Sequence, residues 1–102
     1  MQRYKVEITR AAKSDIIEIF DHIAKDNPEA AANFVRQLER QIRSLKQYPL
    51  RCPIIPEAVE LKREYRHLLY GAYRTIFKVS TKSVIIIRVI HGARLLDLSV
   101  LS

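Results

Sequence analysis

Arg74, Lys78, His91 and Arg94 are the side chains of this sequence whose types suit chemistry on an anion. Brought together, they would form a cationic cluster containing one group, His91, that titrates near neutrality. Such a cluster suits phosphate recognition or cleavage of an RNA backbone, because fixed cations stabilise developing negative charge while an imidazole moves the proton. The alternative is structural, with Arg74 paired to a helix acid and His91 capping a strand end. Strand parity places Arg74, Ile76 and Lys78 on one face of their strand. It places Arg88 and His91 on opposite faces of theirs, unless a bulge intervenes.

These residues belong to a wider basic field. Residues 61–94 hold eight Lys or Arg (Lys62, Arg63, Arg66, Arg74, Lys78, Lys82, Arg88, Arg94) against one acid, Glu64, whereas the first sixty residues hold ten basic and nine acidic side chains. The net charge of +7 is thus concentrated in one third of the chain. A confined field of this kind either meets an anionic partner or is a solvated strand face. Lys62, Arg63, Arg66, Lys78 and Arg88 are its candidate target contacts. Tyr65, Tyr70 and Tyr73 interleave with Arg63, Arg66 and Arg74, a pattern that either stacks bases or makes cross-strand pairs in a hairpin.

Other chemistries find little support. His22, His67 and His91 follow no metal-ligand spacing, and the single cysteine, Cys52, adds nothing to them. Gly-rich phosphate loops, nucleophile elbows and dinucleotide fingerprints are absent from the sequence, so neither a metal nor a cofactor is expected. Cys52 reads as a packed loop residue in a Pro-flanked stretch. The 102 residues make one domain, residues 1–102, with an ordinary globular composition. With one Cys, no apolar run of membrane length and no signal-peptide pattern, the expected location is the cytoplasm.

The elements that must position these residues are legible from periodicity. Tyr4 to Thr9 alternates as a half-buried strand. From Ala11 the period becomes helical, with Ala12, Ile16, Ile19, Phe20 and Ile23 on one stripe and Asp15, Glu18, Asp21 and His22 turned away. Thr9 or Ser14 caps its start. Asn27-Pro28 opens a second helix whose stripe is Ala31, Phe34, Leu38, Ile42 and Leu45, and the short connection makes the two an antiparallel hairpin. Beyond a Pro-rich loop from Pro49 to Pro56 come three extended segments, Leu61 to Tyr70, Tyr73 to Ser80 and Val84 to Ile90. Gly71-Ala72 suits the first tight turn. The β-branched run Val84-Ile85-Ile86-Ile87 fits a central strand covered on both sides. The expectation is an α+β fold: an N-terminal strand, an antiparallel helical hairpin, then a three-stranded antiparallel meander, the helices on one face of the sheet and part of the basic set on the other.

Two phrases in this frame resemble a known family. Tyr73-Arg74-Thr75-Ile76-Phe77-Lys78-Val79, followed by Ile87-Arg88-Val89-Ile90-His91-Gly92-Ala93-Arg94, is similar to the paired strands of RelE/ParE-type toxins of type II toxin-antitoxin systems. The order of elements extends the resemblance from Tyr4 to Asp97. It implies one of two activities. RelE-like members are ribosome-dependent endoribonucleases that cut mRNA, and in that reading Arg74, His91 and Arg94 are catalytic. ParE-like members inhibit DNA gyrase and hydrolyse nothing.

The tail Leu95-Leu96-Asp97-Leu98-Ser99-Val100-Leu101-Ser102 has neither Tyr nor His where the nucleases carry a terminal general acid or base. Loss of such a group costs a factor of about 100 to 10,000 in rate. His91-x-x-Arg94-x-x-Asp97 also looks more like the ParE branch. The resemblance therefore implies a gyrase-inhibiting, growth-arresting toxin neutralised by an antitoxin protein, with RelE-like cleavage of ribosome-bound mRNA as the alternative. Leu95, Leu98 and Leu101 are the expected antitoxin contacts, unless they dock on the toxin's own sheet. A basic nucleic-acid-binding domain unconnected with toxins is the third reading.

Overall fold

The computed structural model describes residues 3–58 and 64–94. The element order is β1 (Lys5–Ile8), α1 (Arg10–Ala24), α2 (Pro28–Arg43), two single 3-10 turns (Ser44–Lys46 and Pro49–Arg51), then β2 (Arg66–Tyr70), β3 (Tyr73–Val79) and β4 (Ser83–His91). Both helix starts follow from their caps. The Thr9 hydroxyl accepts from the Ala12 amide and the Asn27 side chain from the Ala30 amide, each satisfying a first-turn donor that has no partner within its helix. Pro28 opens α2 at a position where no N–H is needed.

The four strands form one sheet in the order β1-β4-β3-β2. β2, β3 and β4 are the antiparallel meander, and β1 adds to β4 in parallel, so the sheet is mixed. β4 is central, as its all-apolar start requires. Gly71, at φ +56°, makes the β2–β3 turn, and a Cβ there would also meet the Phe34 ring at 3.3 Å.

A main core fills the space between the helices and the sheet: Ala12, Ile19, Leu38, Ile42, Leu45, Cys52, Phe77, Val84, Ile86 and Val89 are all buried. Each large aliphatic side chain there contributes about 1.5–3 kcal/mol by leaving water. Phe20, expected on the buried stripe, lies at its margin, 37% exposed. Asp15, expected in solvent, is buried.

A second core corrects the expectation of an open basic face. On the side of the sheet away from the helices, Ile76 and Ile90 are covered by Ile55, Ala58 and Tyr65, with Ile87 packed against them. The Pro-rich segment folds back along the outer edge of β2: Ile55 donates to Tyr65 O at 2.9 Å, His67 donates to Pro53 O at 3.1 Å, and Ile54 bridges Arg66. Apolar side chains on both faces of the last two strands require this second cover.

Candidate functional site

Three arginines of the basic field turn inward. Arg74 is 4% exposed. Its Nη1 donates to Glu57 Oε1 at 3.2 Å, and Nη2 makes a shorter bond to Oε2. Nη2 also donates to Arg94 O at 2.8 Å, and Nη1 to His67 Nδ1 at 3.2 Å. Since a guanidinium only donates, His67 must accept through Nδ1 and carry its proton on Nε2. Burial, with the Arg74 guanidinium beside it, pushes the His67 pKa below the ordinary imidazole range, and Glu57 opposes this in part. One guanidinium thus ties the covering loop, β2, β3 and the end of β4 together.

Arg88 does the same on the helix side. Its Nε and Nη2 donate to the Asp15 carboxylate at 2.7 and 2.9 Å, and the same carboxylate accepts the Val89 amide at 2.9 Å. Arg88 lies past Ile86, where the pairing of β1 with β4 ends, and just after a bulge in the β3 ladder. Phe77 pairs with Ile86 and Ile76 with Arg88, leaving Ile87 without a partner in the ladder. The ladder then runs without a break from Arg88, opposite Ile76, to His91, opposite Tyr73, so the alternation expected between those two residues is kept. His91 pairs with Tyr73 in the register and meets its ring edge-on at 5.7 Å between centroids. Arg66, the third, donates to Cys52 O at 2.6 Å and bridges Glu64 at 3.6 Å. The Cys52 thiol is pushed up by burial, with Arg51 and Arg66 opposing in part.

The expected cluster is therefore divided. His91 and Arg94 line one cleft of about 180 Å³ with Glu18, His22 and Tyr73, between α1 and the end of β4. The Arg74 guanidinium is not part of that cleft: it is buried against Glu57 and His67 and meets Arg94 at its backbone carbonyl, and Lys78 is exposed farther along β3. In its neutral form His91 donates only through Nε2, because Nδ1 accepts the Ala93 amide at 3.2 Å. Among the tyrosines, Tyr65 is buried in the second core, while Tyr70 pairs with Tyr73 across the β2–β3 hairpin and both pack on Phe34, at 5.1 and 5.5 Å. Lys62, Arg63, Leu95, Leu98 and Leu101 lie outside the described residues. Among the described residues, no group of three or more His, Cys, Asp or Glu side chains could hold a metal ion, and no helix is long and apolar enough to cross a membrane.

A feature that the sequence reading did not single out is an apolar groove of about 610 Å³ between β1 and the two helices. Val6, Ile8, Ile16, Ile17 and Ile42 line it, with Lys13, Arg43, Lys46 and Glu39 also contributing. Ile17 is 62% exposed. The available signal was the doubled Ile16-Ile17, which widens the apolar stripe of α1 past the width one core face needs.

No curated protein matches the chain. In fold, the chain is similar to a structure of the chromosomal ParDE toxin-antitoxin system from P. aeruginosa, at a TM-score of 0.68 and 23% identity over 87% of this chain and 96% of that one. It is also similar to the RelBE2 toxin-antitoxin complex from Mycobacterium tuberculosis, at a TM-score of 0.58 and 26% identity over 92% of this chain and 97% of that one. The family model of the ParE toxin of the type II toxin-antitoxin system parDE matches residues 6–96. With nine-tenths of its length matched by that model, and the strand, helical hairpin and meander all in place, the chain belongs to the ParE toxin family of type II toxin-antitoxin systems.

Proposed function

We propose that this ParE-family chain arrests growth in the cytoplasm by inhibiting DNA gyrase, and that a cognate antitoxin neutralises it. The observation that carries the choice of branch is the burial of Arg74. A phosphate-binding arginine must reach its phosphate, whereas this guanidinium is 4% exposed and both its terminal nitrogens are engaged by the Glu57 carboxylate. The guanidinium meets Arg94 at its backbone carbonyl but does not line the cleft of His91 and Arg94, which supports the same reading, since proton transfer and charge stabilisation must act on one reacting centre. The alternative, RelE-like cleavage of ribosome-bound mRNA, draws support from the cleft shared by His91 and Arg94.

The test is DNA supercoiling by purified gyrase with antitoxin-free toxin titrated in. The expected result is inhibition with cleaved DNA trapped on the enzyme. Unimpaired supercoiling by folded toxin that still arrests growth would transfer the assignment to the ribosome.

The groove on α1 is the antitoxin site that the geometry favours, in addition to the C-terminal leucines named from the sequence. It offers an apolar floor with Lys13, Arg43 and Lys46 around it, which suits an amphipathic segment with acidic flanks that folds on binding. Ile17→Asp changes a residue already exposed, so stability should move by no more than about 0.5 kcal/mol. Antitoxin affinity, measured by calorimetry, should fall by about tenfold or more, as for loss of an anchor residue. Unchanged affinity would place the antitoxin elsewhere.

A further inference from the structure

The turn after α2 holds a strained residue. Tyr48 has φ and ψ of +50°, and among the described residues it is the one non-glycine with positive φ. Side chains rarely adopt this left-handed conformation, which crowds Cβ against the backbone. Burial does not offset the strain, because Tyr48 is 62% exposed and Leu50, two residues on, is 56% exposed. Between them Pro49 is buried and anchors the turn.

Two arginines hold the turn rigid. Arg51 Nη1 donates to Gln47 O at 2.7 Å and to Tyr48 O at 3.0 Å, and its Nη2 donates to Ser44 Oγ at 2.9 Å. From β2, Arg66 Nη1 reaches Cys52 O at 2.6 Å and Leu50 O at 3.4 Å. The result is a hollow of about 290 Å³ lined by Tyr4, Tyr48, Pro49, Leu50 and Arg51. The one charged residue in that lining is Arg51, and the chain from Gln41 to Pro56 contains no acid; its other cations, Arg43 and Lys46, line the groove on α1.

We infer that this braced turn is a recognition surface for the toxin's cellular target, and that it receives an apolar side chain borne on an acidic segment of that protein. The inference rests on the toxin reading above but not on which target is correct. Charge complementarity selects an acidic partner. The arginines of the turn select protein over nucleic acid, since Arg51 and Arg66 spend donors on backbone carbonyls instead of holding a fork open to phosphate, and the lining is largely apolar. Preorganisation selects the target over the antitoxin. A segment that folds on binding adapts to whatever surface it meets, whereas a folded target rewards a surface already fixed in its bound shape.

The test is Tyr48→Gly in the full-length toxin, with Leu50→Ser as a second variant that leaves the backbone unchanged. Glycine adopts the left-handed conformation freely, so the first variant should melt at the wild-type temperature or up to about 5 °C higher, its loss of strain partly cancelled by a more flexible unfolded chain. Both variants should bind the cognate antitoxin normally and lose growth arrest on induction, needing about tenfold more protein for the same effect. Full growth arrest by both would overturn the inference, as would weakened antitoxin binding with arrest intact. A parallel loss of affinity for a 20-nucleotide RNA or DNA oligomer would also overturn it, making the turn a nucleic-acid contact. Failure of the wild type to arrest growth would instead remove the toxin reading and the inference with it.

Discussion

Arg74→Met is expected to destabilise the fold by about 3–5 kcal/mol, because it removes the guanidinium that pairs with the buried Glu57 carboxylate. Glu57 is only 9% exposed at its side chain and cannot turn to water without dragging the covering loop away from Ile76 and Ile90. The same substitution removes the donors to His67 Nδ1 and Arg94 O. Domains of this size have about 5–15 kcal/mol in total, so the melting temperature should drop by at least 12 °C, roughly 4 °C or more for each kcal/mol.

Calorimetric or circular-dichroism melting checks this, and the double variant Arg74→Met with Glu57→Leu provides the control. Replacing both partners with apolar groups removes the buried carboxylate together with its guanidinium and should recover most of the loss. A folded, wild-type-like Arg74→Met protein would mean that the pair contributes little, and would free Arg74 for the role on phosphate that the nuclease reading requires. Loss of toxicity in any Arg74 variant is therefore informative only beside its melting curve.

Asp15→Ala should cost nearly as much, about 3 kcal/mol or more. The carboxylate accepts three donors, two from Arg88 and one from the Val89 amide, and the alanine takes that acceptor away from all three in a mostly buried site. Urea unfolding should show the midpoint moving down at constant slope. Native-state hydrogen exchange gives a sharper readout. The Val89 amide should lose protection in Asp15→Ala by more than its neighbours in β4, since its acceptor is that side chain. Uniform loss along β4, or none at Val89, would show that the helix-to-strand tie is not where the stability lies.

Both results bear on the basic field. Of its members, Arg66, Arg74 and Arg88 are structural ties, and Lys78, Lys82 and Arg94 present exposed side chains. A count of charge along the chain treats these two groups alike, although an arginine committed to a buried carboxylate contributes little field to an approaching partner.

The sequence by itself determined the elements and most of the main core. Period-3.6 stripes, Thr9 and Asn27 at the caps, Gly71 in its turn and the two-sided apolar run of β4 are local properties, and each acts through neighbours within a few residues. The motif around Arg74 and His91 likewise carried the family.

Tertiary structure alone decided the rest. Asp15 and Arg88 are 73 residues apart, and nothing within four residues of Asp15 distinguishes it from the exposed acids of α1. The bulge at Ile87 and the end of the β1 pairing at Ile86 are long-range features of the sheet, so strand parity could not foresee that Arg88 would reach α1. The folding back of Ile54 to Ala58 converted a supposed open face into a second core and took Arg74 out of solvent. Whether a cation serves a ligand or the fold depends on which carboxylate reaches it first, and long-range packing settles that.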